Sequence, residues 1–474
     1  MFKNFTFKCI LVSILVGISL QVQSCTKTED CVSKLTPKYI CNQKQFCEVE
    51  GFKFTAMEIT GLSIIAGLIA ITNVGGVGAG SVVVPTTMVF LDHTVTDAIP
   101  HARVAIMTGC LVSFLMTGFA RSKSNPDKLD TSFSLAASVV PLLLGGTQIG
   151  VILTPLIPRL VIGVLLTFYL LLSLRRTYTR VKRDSNNSND ESLKKEIQNE
   201  VELDSSKSTG GFISDSKTTT MMFFAQKSKL QLIKENVANL FFIVIALGLI
   251  VLALIMQGGH SFNSIIGIQH CSKESWIVVT VSQIIFIIFS ILTYKFNKST
   301  FTPEDVGLET TKAELKVSTL GEQEEPDDLS QLHLKIIKHL IGASYIIGIV
   351  GGMLGIGGGL VISIYMVTMG LNIGSIAAFS IFIVLLSSTS ATLQFIIRGD
   401  LKIENTYQFI AAALIGSLIA NTIIRPIIRR NHKSNAIVWL LFAVLCIACV
   451  VLPTVMIKRI VHNPEGSLSF GQLC

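Results

Sequence analysis

The chain is 474 residues long, with 50% hydrophobic and 15% charged residues and a mean hydropathy of +0.61. That is too apolar and too poor in charge for a water-soluble globule, so its natural solvent is lipid. The formal charge of +8 sits in short Lys and Arg clusters beside apolar runs, as the positive-inside bias places them, which argues against nucleic acid as a partner.

Residues 1–24 carry Lys3 and Lys8, an apolar stretch from Ile10 to Leu20, and Val22 and Ser24 at the small-residue positions of a cleavage site. They predict a signal peptide; an uncleaved anchor is the rival reading. The following segment, 25–55, holds Cys25, Cys31, Cys41 and Cys47. A secreted, oxidising environment and an even cysteine count predict two disulfides in an extracytoplasmic head, in any of three connectivities. Zinc is the alternative, weakened because no His lies among these cysteines.

Apolar runs long enough to span as helices occur at roughly 57–91, 98–120, 132–153, 157–174, 237–257, 275–294, 336–370, 375–397, 406–424 and 436–457. Two of them, 57–91 and 336–370, far exceed the about 20 residues of one crossing. Both have a glycine cluster at their centre, and several glycines together break a helix. Each therefore predicts a hairpin of two short helices. If the first crossed only once, Arg175, Arg176, Arg180, Lys182 and Arg183 would fall outside; a hairpin puts them in the cytoplasm with Arg121, Lys123 and Lys128. In the second half Arg425, Arg429, Arg430 and Lys433 oppose Arg398, Lys402, Lys458 and Arg459, so charge leaves its orientation open.

The expected fold is an all-α polytopic integral membrane protein with two pseudo-symmetric, inverted helical repeats, each opening with a Gly-broken helix hairpin. The repeats are 57–175 and 336–458, with two transmembrane helices in 237–295 between them. Polar linkers at 176–236 and 296–335, which cannot bury a core, are assigned to the cytoplasm, and 459–474 is a tail. The sequons at Asn186 and Asn297 should then stay unmodified. The membrane is the plasma membrane or an endomembrane.

Gly75-Gly76-Val77-Gly78-Ala79-Gly80 in the first half matches Gly352-Met353-Leu354-Gly355-Ile356-Gly357 in the second, with Gly358 and Gly359 following. Paired broken helices point to a transporter's binding site, because unwound backbone bares N–H and C=O groups at membrane depth. A helix beginning just after glycines turns its positive dipole end and free amides towards an anion. The structural alternative is close helix packing through small residues. A dinucleotide loop is ruled out by the missing βαβ context.

Gly351-Gly352-Met353-Leu354-Gly355-Ile356-Gly357-Gly358-Gly359, echoed by Gly75 to Gly80 and Pro85, resembles the duplicated signature of the TauE/SafE family. The resemblance covers about 57–175 and 336–457, and Gly145 to Gly150 and Gly416 to Asn421 occupy the family's later small-residue helix in each half. It implies a permease or exporter of sulfite, organosulfonates or related small anions, working by alternating access.

Several side chains are candidate lining groups. Arg103 is an intramembrane cation suited to holding an anion, or else one that snorkels or pairs with Asp97 or Asp92. His101 is a candidate carrier of a coupling proton, or a structural hydrogen-bonding group. Ser387, Ser388, Thr389, Ser390 and Thr392 supply hydroxyls for a pathway or bond their own backbone. Gln148 and Asn421 line it or bind helices together. Cys446 and Cys449 form a C-x-x-C read as ordinary core, and His260, His270 and Cys271 lack the spacing of a metal site. No cofactor and no enzyme activity is implied, since neither H-E-x-x-H nor G-x-S-x-G occurs. The rival function is a receptor whose cysteine-rich head binds a ligand.

Overall fold

The computed structural model describes residues 39–41, 47–49, 55–74, 79–120, 129, 131–175, 234–259, 262–269, 272–298, 301, 326–368, 373–401, 406–427 and 434–462. The signal peptide and most of the long linkers and of the C-terminal tail lie outside these residues; of the segment expected as a polar linker at 296–335, residues 326–335 are helical, and of the tail 459–462 continue the last helix. Two short strands, β1 (Tyr39–Cys41) and β2 (Cys47–Val49), pair antiparallel with Cys41 opposite Cys47. This backbone register is what is described of the head; Cys25 and Cys31 and the side chains of Cys41 and Cys47, and with them the expected disulfides, lie outside what is described.

The remaining described elements are helices. The first half comprises α1 (Ala56–Val74), α2 (Gly80–Phe90), α3 (Val95–Thr117), α4 (Phe133–Leu153) and α5 (159–175). Then come α6 (Val237–Gln257) and α7 (Lys273–Asn297). The second half has α8 (Pro326–Leu354), α9 (Gly359–Thr368), α10 (Ile373–Arg398), α11 (Tyr407–Ile419), which continues as a π-helical turn over Ala420–Ile424, and α12 (Ser434–His462). Among the described residues eight helices are long and apolar enough to cross a bilayer.

Both over-long runs are broken where the glycines predict. In the first, a Cβ built on Gly61, near the start of α1, would lie 2.5 Å from Phe90 Cβ and 3.1 Å from Leu91 Cδ1 at the end of α2. The chain thus turns back to the side it entered from. In the second, Gly358 packs beside Ile347 of α8, and a Cβ on Gly351 would lie 2.6 Å from the Gly358 amide, so the chain folds back at this turn too. Thr94 starts α3 as its N-cap, its hydroxyl accepting from the Asp97 amide at 3.4 Å, with Asp97 itself in the positive first turn.

The middle of the bundle is α3, α4 and α10, most of whose described residues are buried. α6 and α7 stand outside them and show Phe241, Val244, Ile284 and Ile288 to the surroundings, as lipid-facing helices do. α4 and α8 touch backbone to backbone: Cβ atoms on Gly150 and Gly348 would lie 2.9 Å from the amides of Met353 and Thr147. Phe114, Phe133 and Phe382 close one end of the core, with ring centroids 4.7 and 5.4 Å apart. Asn297 is buried and donates to the Thr293 carbonyl at 3.1 Å.

Because nothing but backbone opposes a side chain there, Gly150→Leu is expected to destabilise the protein by about 1–3 kcal/mol, the usual cost of overpacking. Thermal unfolding in detergent measures it. Gly248→Ala, with open space around its Cβ position, should melt with the parent chain.

Candidate functional site

The two glycine breaks meet. A Cβ on Gly80, at the start of α2, would fall 2.6 Å from the Ile356 Cα and 2.8 Å from the Gly355 carbonyl oxygen. Only a residue without a side chain lets the first break approach the second so closely. In the second break Gly355, Gly357 and Gly358 take φ of +73°, +79° and +59°, left-handed values that favour glycine. The turn they make ends α8 and starts α9. It therefore juxtaposes the last carbonyls of one helix and the first amides of another, groups that have no intrahelical partners. Gly75, Gly76 and Gly78 lie outside the described residues.

Arg103 stands at this turn. It is wholly buried on α3, and its Nη2 donates to the Gly351 carbonyl at the end of α8. Its Nε and Nη1 have no hydrogen-bond partner, and Nη1 is 3.8 Å from the Cβ position of Gly357. Asp97 turns instead to Thr94, and no described carboxylate forms an ion pair with Arg103. A desolvated guanidinium with two free donors is costly to keep and is completed by an acceptor carrying negative charge.

α10 brings its hydroxyls to the same place, but they divide. Ser387 Oγ donates to the Gly357 carbonyl at 3.0 Å, fastening α10 to the break. Ser388 and Thr389 bond back to Val384 and Leu385 of their own helix at 2.6 and 2.7 Å. Ser390 Oγ and Thr392 Oγ1 are buried without a partner. Gly359 abuts Val384, whereas Gly352 packs on the Thr147 carbonyl of α4 and so belongs to the helix contact.

Gln148 and Asn421 join helices. Gln148 Oε1 accepts from Ser282 Oγ at 3.1 Å and Gln283 Nε2 at 3.0 Å on α7, while its Nε2 is buried without a partner. Asn421, in the π turn, donates to Ser113 Oγ at 3.1 Å. Beside it is a junction that the sequence reading missed. Asn73, the last polar residue before the first break, donates to the Gly109 carbonyl at 3.2 Å and to Ser417 Oγ at 3.1 Å, and Arg425 donates to the Asn73 carbonyl at 3.4 Å. Its signal was a single amide in an apolar run, directly ahead of the glycines. His101 has Nδ1 2.7 Å from the Asp97 carbonyl, and its ring is 5.0 Å from those of both His93 and Phe409.

Cys446 and Cys449 are unbridged on α12. Among the described residues no cluster of His, Cys, Asp and Glu could hold a metal ion. His260, His270 and Cys271 lie outside the described residues.

Comparison with known proteins gives one consistent likeness. The family described as "Sulfite exporter TauE/SafE" matches residues 229–452. Among Arabidopsis thaliana proteins, Sulfite exporter TauE/SafE family protein 2 is 23% identical over 412 residues, 85% of this chain and 84% of the relative. Family protein 5 is 21% identical over 84% of this chain and 83% of its own length, and family protein 1 is 23% identical over 85% and 86%. No solved structure matches.

The contact between the breaks offers a test that leaves the polar groups in place. Gly80→Ala must push backbone against backbone, so it should lower anion flux well below that of Gly67→Ala, whose Cβ position is open. Flux into vesicles normalised to folded protein reads the difference.

Proposed function

We propose that this chain, which is similar to the TauE/SafE family of membrane transporters over residues 229–452, carries small oxyanions across the bilayer, sulfite and sulfonates among them, by alternating access. The observation that carries this reading is Arg103: a buried cation with two free donors, facing a helix start at a glycine turn. The anion sits between the guanidinium and the first amides of α9, whose dipole end adds positive potential. Ser390 and Thr392 offer further donors nearby on α10. Nothing in this arrangement fixes a sulfur atom; it recognises charge and acceptor oxygens, so sulfite, sulfate and sulfonates are the compounds to compare.

The doubling back of both broken runs favours two halves of opposite orientation, with the site where their breaks touch. On that plan the head at 25–55 is extracytoplasmic and the linkers at 176–236 and 296–335 are cytoplasmic. His101 is the coupling-proton candidate, since a second imidazole and the Asp97 carbonyl are beside it and imidazole titrates near neutrality.

Purified protein in liposomes should take up sulfite, and Arg103→Gln should reduce uptake by roughly tenfold or more, the loss of a charge-assisted bond of about 1.5–3 kcal/mol. Wild-type rates from a folded Arg103→Gln protein would refute the assignment of the site. An inward proton gradient should accelerate uptake, and His101→Gln should abolish the acceleration. Uptake indifferent to the gradient removes the proton from the cycle.

A further inference from the structure

α10 carries a line of polar side chains that its neighbours leave largely unsatisfied. Taking about 100° per residue, Ser380, Ser387, Ser390, Gln394 and Arg398 fall within one narrow stripe of the helix. The 18 residue steps from Ser380 to Arg398 rise about 27 Å, close to the ~30 Å of a hydrocarbon core. An apolar helix has no packing reason to keep such a stripe inside a protein.

The stripe is buried, not lipid-facing: Ser380 and Ser390 are 0% exposed and Gln394 is 1% exposed. Ser380 Oγ, Ser390 Oγ and Gln394 Oε1 have no hydrogen-bond partner. The partners that do exist include backbone carbonyls of other elements. Ser387 donates to Gly357 in the break, Gln394 Nε2 to Gln148 of α4 at 3.0 Å, and Arg398 Nη1 to Val151 of α4 at 3.0 Å. At the far end Arg398 comes to the surface, its side chain 12% exposed, with Nε 3.3 Å from Asp400.

We propose that this stripe of α10 is the track along which the anion moves between Arg103 and the face of the membrane at Arg398, with Arg398 as the capturing cation at its mouth. The inference rests on the anion site proposed above and adds its route. Ser387 fixes the inner end of the track to the break. Ser390 and Gln394, whose amide can turn either of its ends to the path, hand the anion across the next turns by hydrogen bonds. Asp400 competes with the anion for Arg398, so it acts as a weak gate.

Ser390→Cys, Gln394→Cys and, on the opposite side of the helix, Ile396→Cys are compared in the full chain with a membrane-impermeant anionic methanethiosulfonate. Labelling is read by mass spectrometry against the unchanged chain, so a variant need not transport to be scored. The expected result is labelling at 390 and 394 that sulfite slows several-fold, with position 396 at background. Equal labelling at all three positions, or none, would overturn the track, while loss of flux in Arg103→Gln would still uphold the site. Arg398→Gln should raise the KM for sulfite several-fold with kcat retained, and Asp400→Asn should lower it. An unchanged KM in both removes Arg398 from the mouth.

Discussion

The central constraint on this protein is an unbalanced charge. Arg103 is buried in the middle of the bundle, and among the described residues no carboxylate neutralises it and its hydrogen bond is to the Gly351 carbonyl. Backbone carbonyls at a helix C-terminus offset part of a cation's cost through their dipole, but they do not replace the water that a guanidinium gives up. The remaining donors stay available. On the function proposed above, those donors are the ones an anion would take up.

The other features of the site follow from the backbone. A continuous α8 would have its carbonyls bonded internally and no helix start beside Arg103. Left-handed glycines at 355, 357 and 358 turn the chain within a few residues, and Gly80 lets the first hairpin close against them. The phenylalanines at 114, 133 and 382 shut one end of the core, so polar groups and apolar packing are separated along the same helices.

Much of this was legible in the amino-acid order. The glycine clusters marked both breaks because glycine is costly within a helix, and the Arg clusters required the first run to return. Arg103 was visible because an ionised group in an apolar run is rare. What could not be read were the partners of each amide and hydroxyl, which depend on how helices distant in sequence rotate against one another. Thus the five hydroxyls of 387–392 looked alike, yet Ser388 and Thr389 bond only their own helix while Ser387 reaches the break. Asn73 went unnoticed because its partners, Gly109 and Ser417, lie far along the chain. Gly352 reads as part of the signature motif, but its neighbour is the Thr147 carbonyl on α4.

The glycine seam between α4 and α8 has a mechanical consequence. With Gly146, Gly150, Gly348 and Gly352 interlocked at carbonyl and amide distance, sliding one helix along the other would drive backbone into backbone at every step. The two helices therefore travel as a single stiff spar. Any relative tilting of helices in this bundle must therefore be taken up elsewhere than along this seam.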